Sequence, residues 1–311
     1  LTVARAIREL LPHDQIVYFG DTARLPYGSK SADTVKGFVR QIIAYLRPLH
    51  PKHVVIACNT ATALALPAVR EEFPGMSISG VIEPGARAAA LAAGTKPRPI
   101  IGVIATEATI RSKAYDVALH RRRNHALIMT RAAPLLAPII EEGRDVSDPL
   151  VRLAVRQYIC PLIEKGLEVL VLGCTHYPIL AGLICEIVGP KVQVIDSAEQ
   201  CAQDVAQRLE SLGLMRKTGP GDVAMQCFVT DDAGRFEALG SRFLGVAIER
   251  PQLVSTERLA EAWRAFDLQH REHLQKSAEV PVPQVRINRR LVSPKPEGKR
   301  GRIHPANGLA A

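Results

Sequence analysis

Apolar and polar positions along this 311-residue chain change rhythm repeatedly. Short β-rich runs at residues 16–19, 53–57, 78–82, 100–105, 125–130, 169–173, 192–195 and 226–230 are separated by stretches with helical spacing. Residues 31–46 carry apolar side chains at 35, 38, 39, 42, 43 and 46, one face of a helix. Residues 147–165 are similar, and Asp148-Pro149 suits a first turn. Strands alternating with amphipathic helices predict an α/β protein with largely parallel sheets flanked by helices.

The two halves repeat one another. "RQIIAYL…HPKHVVIACNT" (40–60) matches "RQYICPL…GLEVLVLGCTH" (156–176) in order and character. Downstream, "GVIEPGARAAA" (80–90) resembles "QVIDSAEQCAQ" (193–203), each read as a strand ending in a carboxylate before a helix. The pattern predicts two pseudo-symmetric α/β domains facing each other across a cleft. The expected boundaries are 1–82 with 197–267 for the domain carrying Cys58, and 83–196 for the domain carrying Cys174.

In open α/β sheets, ligands collect beyond the carboxyl ends of the strands. Cys58 and Cys174 both stand there, each about to enter a helix. A helix N-terminus offers unpaired N–H groups and partial positive charge, so the sequence predicts thiols biased toward thiolate. Asn59, Thr60 and Thr62 flank one cysteine, and Thr175 and His176 the other. These could hold a carboxylate, with His176 relaying a proton beside Cys174. Two thiols on opposite faces of one small substrate suit stereoinversion, one removing the Cα proton and the other delivering one. Donors in a site closed to water must stabilise the carbanion. Cys160, Cys185, Cys201 and Cys227 read instead as small apolar residues. From residues alone, Tyr27-Gly28 reads first as an ordinary turn, and Glu83 equally as a pocket carboxylate or a helix-capping group.

Composition narrows the classes. There is no CxxC pair among six cysteines, no signal-peptide layout and no apolar run long enough to span a membrane, which points to reduced thiols in a cytoplasm. No phosphate-loop, HExxH or Schiff-base lysine motif is visible, so neither cofactor nor metal is expected. The net charge of +9 is concentrated: residues 268–311 hold nine Lys/Arg against three Asp/Glu, a net +6. With five prolines as well, that stretch reads as a disordered basic tail, and any nucleic-acid contact rests on it alone.

At these residues the chain resembles the glutamate racemases of the cofactor-independent aspartate/glutamate racemase superfamily, over residues 1 to about 250. The markers are "GDTARLPYG" (20–28), "ACNTATA" (57–63), "GVIEPG" (80–85), "GVIATEAT" (102–109), "LGCTHYP" (172–178) and "IDSAE" (195–199). The resemblance implies that Cys174, with His176 beside it, takes the proton from L-glutamate, and that Cys58 serves D-glutamate. Asn59, Thr60 and Thr175 would anchor the α-carboxylate and amino group. Pro26, Tyr27 and Gly28 would close the pocket, with Thr106 lining it. It further implies a bacterial cytoplasmic enzyme, often a homodimer, supplying D-glutamate for peptidoglycan. His176 stands where aspartate racemases typically carry a carboxylate. The family also implies a strand and an Asp-Ser-Gly-x-Gly-Gly loop ahead of Leu1, whose Asp assists the first cysteine. The polypeptide as given is therefore expected to turn over weakly or not at all, and a version extended by that segment to be active. The alternatives are an aspartate or other amino-acid racemase, and a non-catalytic amino-acid-binding or regulatory protein whose tail contacts nucleic acid.

Overall fold

The computed structural model describes residues 1–219, 225–248 and 250–278, and Leu1–Leu268 form one unit. In chain order the helices are α1 (Thr2–Leu10), α2 (Ala32–Leu46), α3 (Asn59–Glu72), α4 (Ile82–Ala92), α5 (Glu107–Arg111), α6 (Ala114–His120), α7 (Leu136–Glu141), α8 (Pro149–Ile163), α9 (Ala181–Val188), α10 (Ser197–Ser211), α11 (Ala233–Leu244) and α12 (Thr256–Ala278). The strands are β1 (Val17–Gly20), β2 (Val54–Ile56), β3 (Ile78–Gly80), β4 (Ile100–Ala105), β5 (Leu127–Ala132), β6 (Val169–Gly173), β7 (Gln193–Asp196), β8 (Gln226–Val229) and β9 (Gln252–Leu253).

Every ladder among the described residues is parallel. One sheet has the order β5-β4-β6-β7; the others are β1-β8-β9 and β2-β3. The protein is thus α/β with parallel sheets flanked by helices. Strands β4 and β6 are apolar throughout because both faces are covered. Ile104, Leu170 and Leu172 pack toward α7, α8 and α9, while Ile101, Val103, Val169 and Val171 pack toward α4 and α6. A second core joins Val35, Val39 and Ile43 of α2 to Ala65, Leu66 and Val69 of α3. There Phe73 stacks on Phe266 of α12 with ring centroids 4.3 Å apart.

Helix starts follow the expected chemistry. Ser31 caps α2 by accepting from the Thr34 amide at 3.3 Å. Asp148 caps α8 by accepting from Leu150 at 2.8 Å, with Pro149 in the first turn. The resemblance between the downstream segments is looser than the sequence implied. Asp196 ends β7 and caps α10, but β3 stops at Gly80 and Glu83 lies inside the first turn of α4.

The first residues expected in the basic tail are helical. Residues 268–278 continue α12, since an extended run of good helix formers carries on past Leu268. Residues 279–311, on which the nucleic-acid contact rested, lie outside the described residues. Cys201 and Cys227 are buried as small apolar residues, whereas Cys185 is exposed and Cys160 partly so. Among the described residues no helix is long and apolar enough to cross a membrane.

Candidate active site

The first half of the site is built on the end of β2. Two residues past Ile56, Cys58 is the extended N-cap of α3, and its thiol accepts from the Ala61 amide at 3.5 Å. Asn59 and Thr60 open the helix and are both buried. Thr60 Oγ1 lies 2.8 Å from Thr106 Oγ1 and 3.2 Å from Thr109 Oγ1, and the last two are 2.9 Å apart. This ring of hydroxyls ties α3 to α5, which Thr106 caps.

The second half stands at the end of β6. Gly173 precedes the buried Cys174, and a Cβ there would come within 3.0 Å of the Ala105 side chain, the Ile104 carbonyl and the Tyr115 ring. Thr175 offers its carbonyl to the Thr2 hydroxyl at 2.7 Å. His176 Nδ1 is 3.8 Å from Cys174 Sγ, and its Nε2 is 3.0 Å from Glu141 Oε1. Burial disfavours the imidazolium, but hydrogen bonds to Cys174 and Glu141, and their charges, outweigh it and lift the His176 pKa to about 9. The hydrogen bond from His176 also holds the Glu141 carboxyl below its ordinary value. A cation therefore sits beside Cys174 at neutral pH, and a thiolate formed there during turnover would face a positive charge.

The opposite thiol behaves differently. Burial pushes Cys58 up, and the Ala61 and Thr60 hydrogen bonds do not offset this; charge on Cys174 raises it further. The helix N-terminus was expected to lower this thiol. Loss of solvation outweighs the N–H groups, so Cys58 favours the protonated form.

Ten of the residues singled out in the sequence face one cavity of about 1170 Å³, whereas Thr62, expected beside Cys58, donates its hydroxyl to the Ile56 carbonyl at 2.8 Å and does not line it. Cys58, Asn59, Thr60, Thr106, Cys174, Thr175 and His176 line it, together with Pro26, Tyr27 and Gly28. Gly28 is needed where it packs on Thr106, since a Cβ would approach Thr106 Cβ to 3.0 Å. Tyr27-Gly28 is thus a turn as well as a wall. The cavity continues between β1 and β2, which each pair on one side only among the described residues.

Sequence reasoning missed three contributors. Glu141 comes from α7 and has no motif of its own. Asp21 lines the cavity, accepts from the Tyr27 hydroxyl, and takes Arg24 Nε at 2.8 Å and the Thr230 hydroxyl at 3.1 Å. Its place in the quoted "GDTARLPYG" run was the only signal available. Tyr115, fully buried in α6, donates to Asn59 Oδ1 at 2.7 Å. Glu83 is not a pocket carboxylate: it pairs with Arg121 at 3.3 Å and Arg122 at 2.6 Å and does not line the cavity. Among the described residues no group of three or more His, Cys, Asp or Glu could hold a metal ion.

Residues 2–205 match the family described as Asp/Glu/Hydantoin racemase. The glutamate racemase of Neisseria meningitidis serogroup A is 42% identical over 255 residues, covering 82% of this chain and 92% of that protein. The crystal structure of glutamate racemase from Francisella tularensis in complex with D-glutamate superposes with a TM-score of 0.74 at 32% identity, covering 82% of this chain and 92% of that one. The enzyme from Thermus thermophilus, in complex with β-chloro-D-alanine, gives 0.71 at 40% identity, covering 83% and 93%.

Proposed function

The chain belongs to the Asp/Glu/Hydantoin racemase family, and from that premise we propose that it interconverts L- and D-glutamate using Cys58 and Cys174 as the two acid–base groups. One observation carries the reading: thiols at the ends of strands in two separate parallel sheets line a single cavity, each flanked by donors. The substrate is a small molecule, and its conversion yields D-glutamate for bacterial peptidoglycan. We place the reaction in the bacterial cytoplasm.

In the direction from L to D, the Cys174 thiolate takes the Cα proton and becomes a thiol. The electron pair left on Cα spreads into the carboxylate, where Asn59, Thr60 and Thr175 donate. Cys58 then gives its proton to the opposite face and becomes a thiolate. The reverse direction exchanges the roles, and proton exchange with solvent resets the pair. His176, held by Glu141, supplies the charge facing Cys174. Pro26, Tyr27, Gly28 and Thr106 wall the substrate from water, which strengthens every donor inside. Residues 1–82 with 197–267, and 83–196, act as the two lobes closing on it.

Each enantiomer incubated in D₂O should yield its mirror image carrying deuterium at Cα, read by circular dichroism and NMR. Inversion without α-exchange would sink the two-thiol reading. Faster turnover of aspartate than of glutamate would move the substrate assignment and leave the chemistry standing.

A further inference from the structure

Asn59 presents an uneven hydrogen-bond account. Its side chain is 2% exposed and its Oδ1 accepts from the Tyr115 hydroxyl at 2.7 Å, yet its Nδ2 is buried with no partner. A buried amide donor left unpaired is costly unless something arrives to accept from it. Asn59 lines the cavity, so a substrate oxygen can be that acceptor.

What decides which end of the amide faces the cavity is Tyr115. Its phenol is fully buried, and burial keeps it protonated far beyond neutral pH, so it remains a donor. An amide whose oxygen is held by a donor must turn its NH₂ the other way. The same ring lies against Gly173, immediately before Cys174, and leaves no room for a Cβ there. One side chain of α6 therefore touches the residue after Cys58 and the residue before Cys174.

We propose that Tyr115 is a positioning residue, fixing the Asn59 amide so that Nδ2–H meets the substrate carboxylate and bracing the two cysteine-bearing strand ends against each other. The proposal rests on the racemase reading above for the identity of the substrate. The donor meets the carboxylate in the bound substrate and again as charge from Cα spreads into it, so its loss weakens binding and slows proton transfer in both directions.

The test uses Tyr115→Phe, which keeps the ring against Gly173 and removes only the hydroxyl, together with Asn59→Ala and the double variant. Turnover of both enantiomers is measured, with glutamate affinity by calorimetry and Tm as a folding control. Loss of one fixed donor should raise KM and Kd about tenfold for both enantiomers. In both directions kcat should fall as well, by about tenfold, since the same carboxylate takes up charge during proton transfer. The double variant should be no worse than Asn59→Ala alone, because both changes remove the same donor. A Tyr115→Phe variant with altered Tm but unchanged KM and Kd would overturn the proposal, as would losses that multiply in the double variant. Should Tyr115→Phe not fold, Asn59→Asp carries the test. It keeps an acceptor for the phenol but has no donor for the substrate, so KM must rise at least about tenfold, and an unchanged KM overturns the proposal. Wild-type protein that neither racemises nor binds glutamate would take the substrate reading down together with this one. Wild-type turnover with no effect in any variant would take down this one alone.

Discussion

The Cys58 and Cys174 ends of the site share a plan and differ in chemistry. Each cysteine follows a parallel strand and precedes a helical turn, with hydroxyl or amide donors after it. At Cys58 the helix starts at once, its only counter to burial is N–H and hydroxyl donors, and the thiol is pushed up. At Cys174 the helix is delayed by a short turn of 3₁₀ helix over Tyr177–Leu180, and the space gained holds His176 between the thiol and Glu141. A repeated scaffold thus carries an unequal proton inventory: a protonated thiol on one side, and a thiol beside an imidazolium on the other.

Removing either thiol should erase the comparison. Cys58→Ser and Cys174→Ser replace a thiol by a hydroxyl that ionises far less readily. Each should lower turnover in both directions by about 10³-fold or more while the folded-state circular dichroism is retained. Full activity in either variant refutes the pair.

The inequality itself is tested at Glu141. Because His176 is raised to about 9, its protonated form is the one the fold stabilises. That stabilisation is complete below the unfolded value near 6.5 and is lost as pH rises through about 9. Turnover and Tm should therefore both decline through that window. Glu141→Gln keeps the shape and removes the charge, so kcat should fall by about 10–100-fold. The alkaline limb of kcat/KM should also move to lower pH. An alkaline limb that stays in place would show that Glu141 does not hold His176.

Smaller effects belong to the walls. Thr106→Val deletes the hydroxyl shared with Thr60 and Thr109, and should cost about 1 kcal/mol of stability with a several-fold rise in KM. A rise in kcat would show that the hydroxyl ring does not order the Cys58 side. The least effect is expected at the far end of β2. There His53 lies 2.8 Å from Ser77 and 2.7 Å from Ser79, and burial chiefly lowers it to about 4. The neutral form is favoured there, so stability is full above about 6.5 and drains as pH falls toward about 4. The Tm should drop by only a few degrees across that range. His53→Gln should flatten this acid limb and leave the alkaline limb unchanged, separating the scaffold from the chemistry.

Much of the fold was legible because it depends on local patterning. The run 169–173 is β6 to the residue, and 100–105 is β4, since strands covered on both faces are apolar without interruption. Ser31 and Asp148 marked helix starts through their capping chemistry. β9 was missed because two exposed residues, Gln252 and Leu253, carry no pattern. Its pairing with β8 comes from the tertiary arrangement.

The sequence by itself singled out candidates for the chemistry: two cysteines at repeated strand ends and their polar neighbours, with residues 26–28 added as a wall only by the family resemblance. These are short-range features, and a repeat with a cysteine in each half is visible without coordinates. Only the tertiary structure decided what state those residues are in. Glu141 reaches His176, and Tyr115 reaches Asn59, across contacts between helices that no spacing encodes. Burial, a property of the whole fold, reversed the shift that the helix N-terminus alone would give Cys58. Local sequence can supply a thiol and its hydrogen bonds, but the solvation that sets its proton affinity is fixed by everything packed around it.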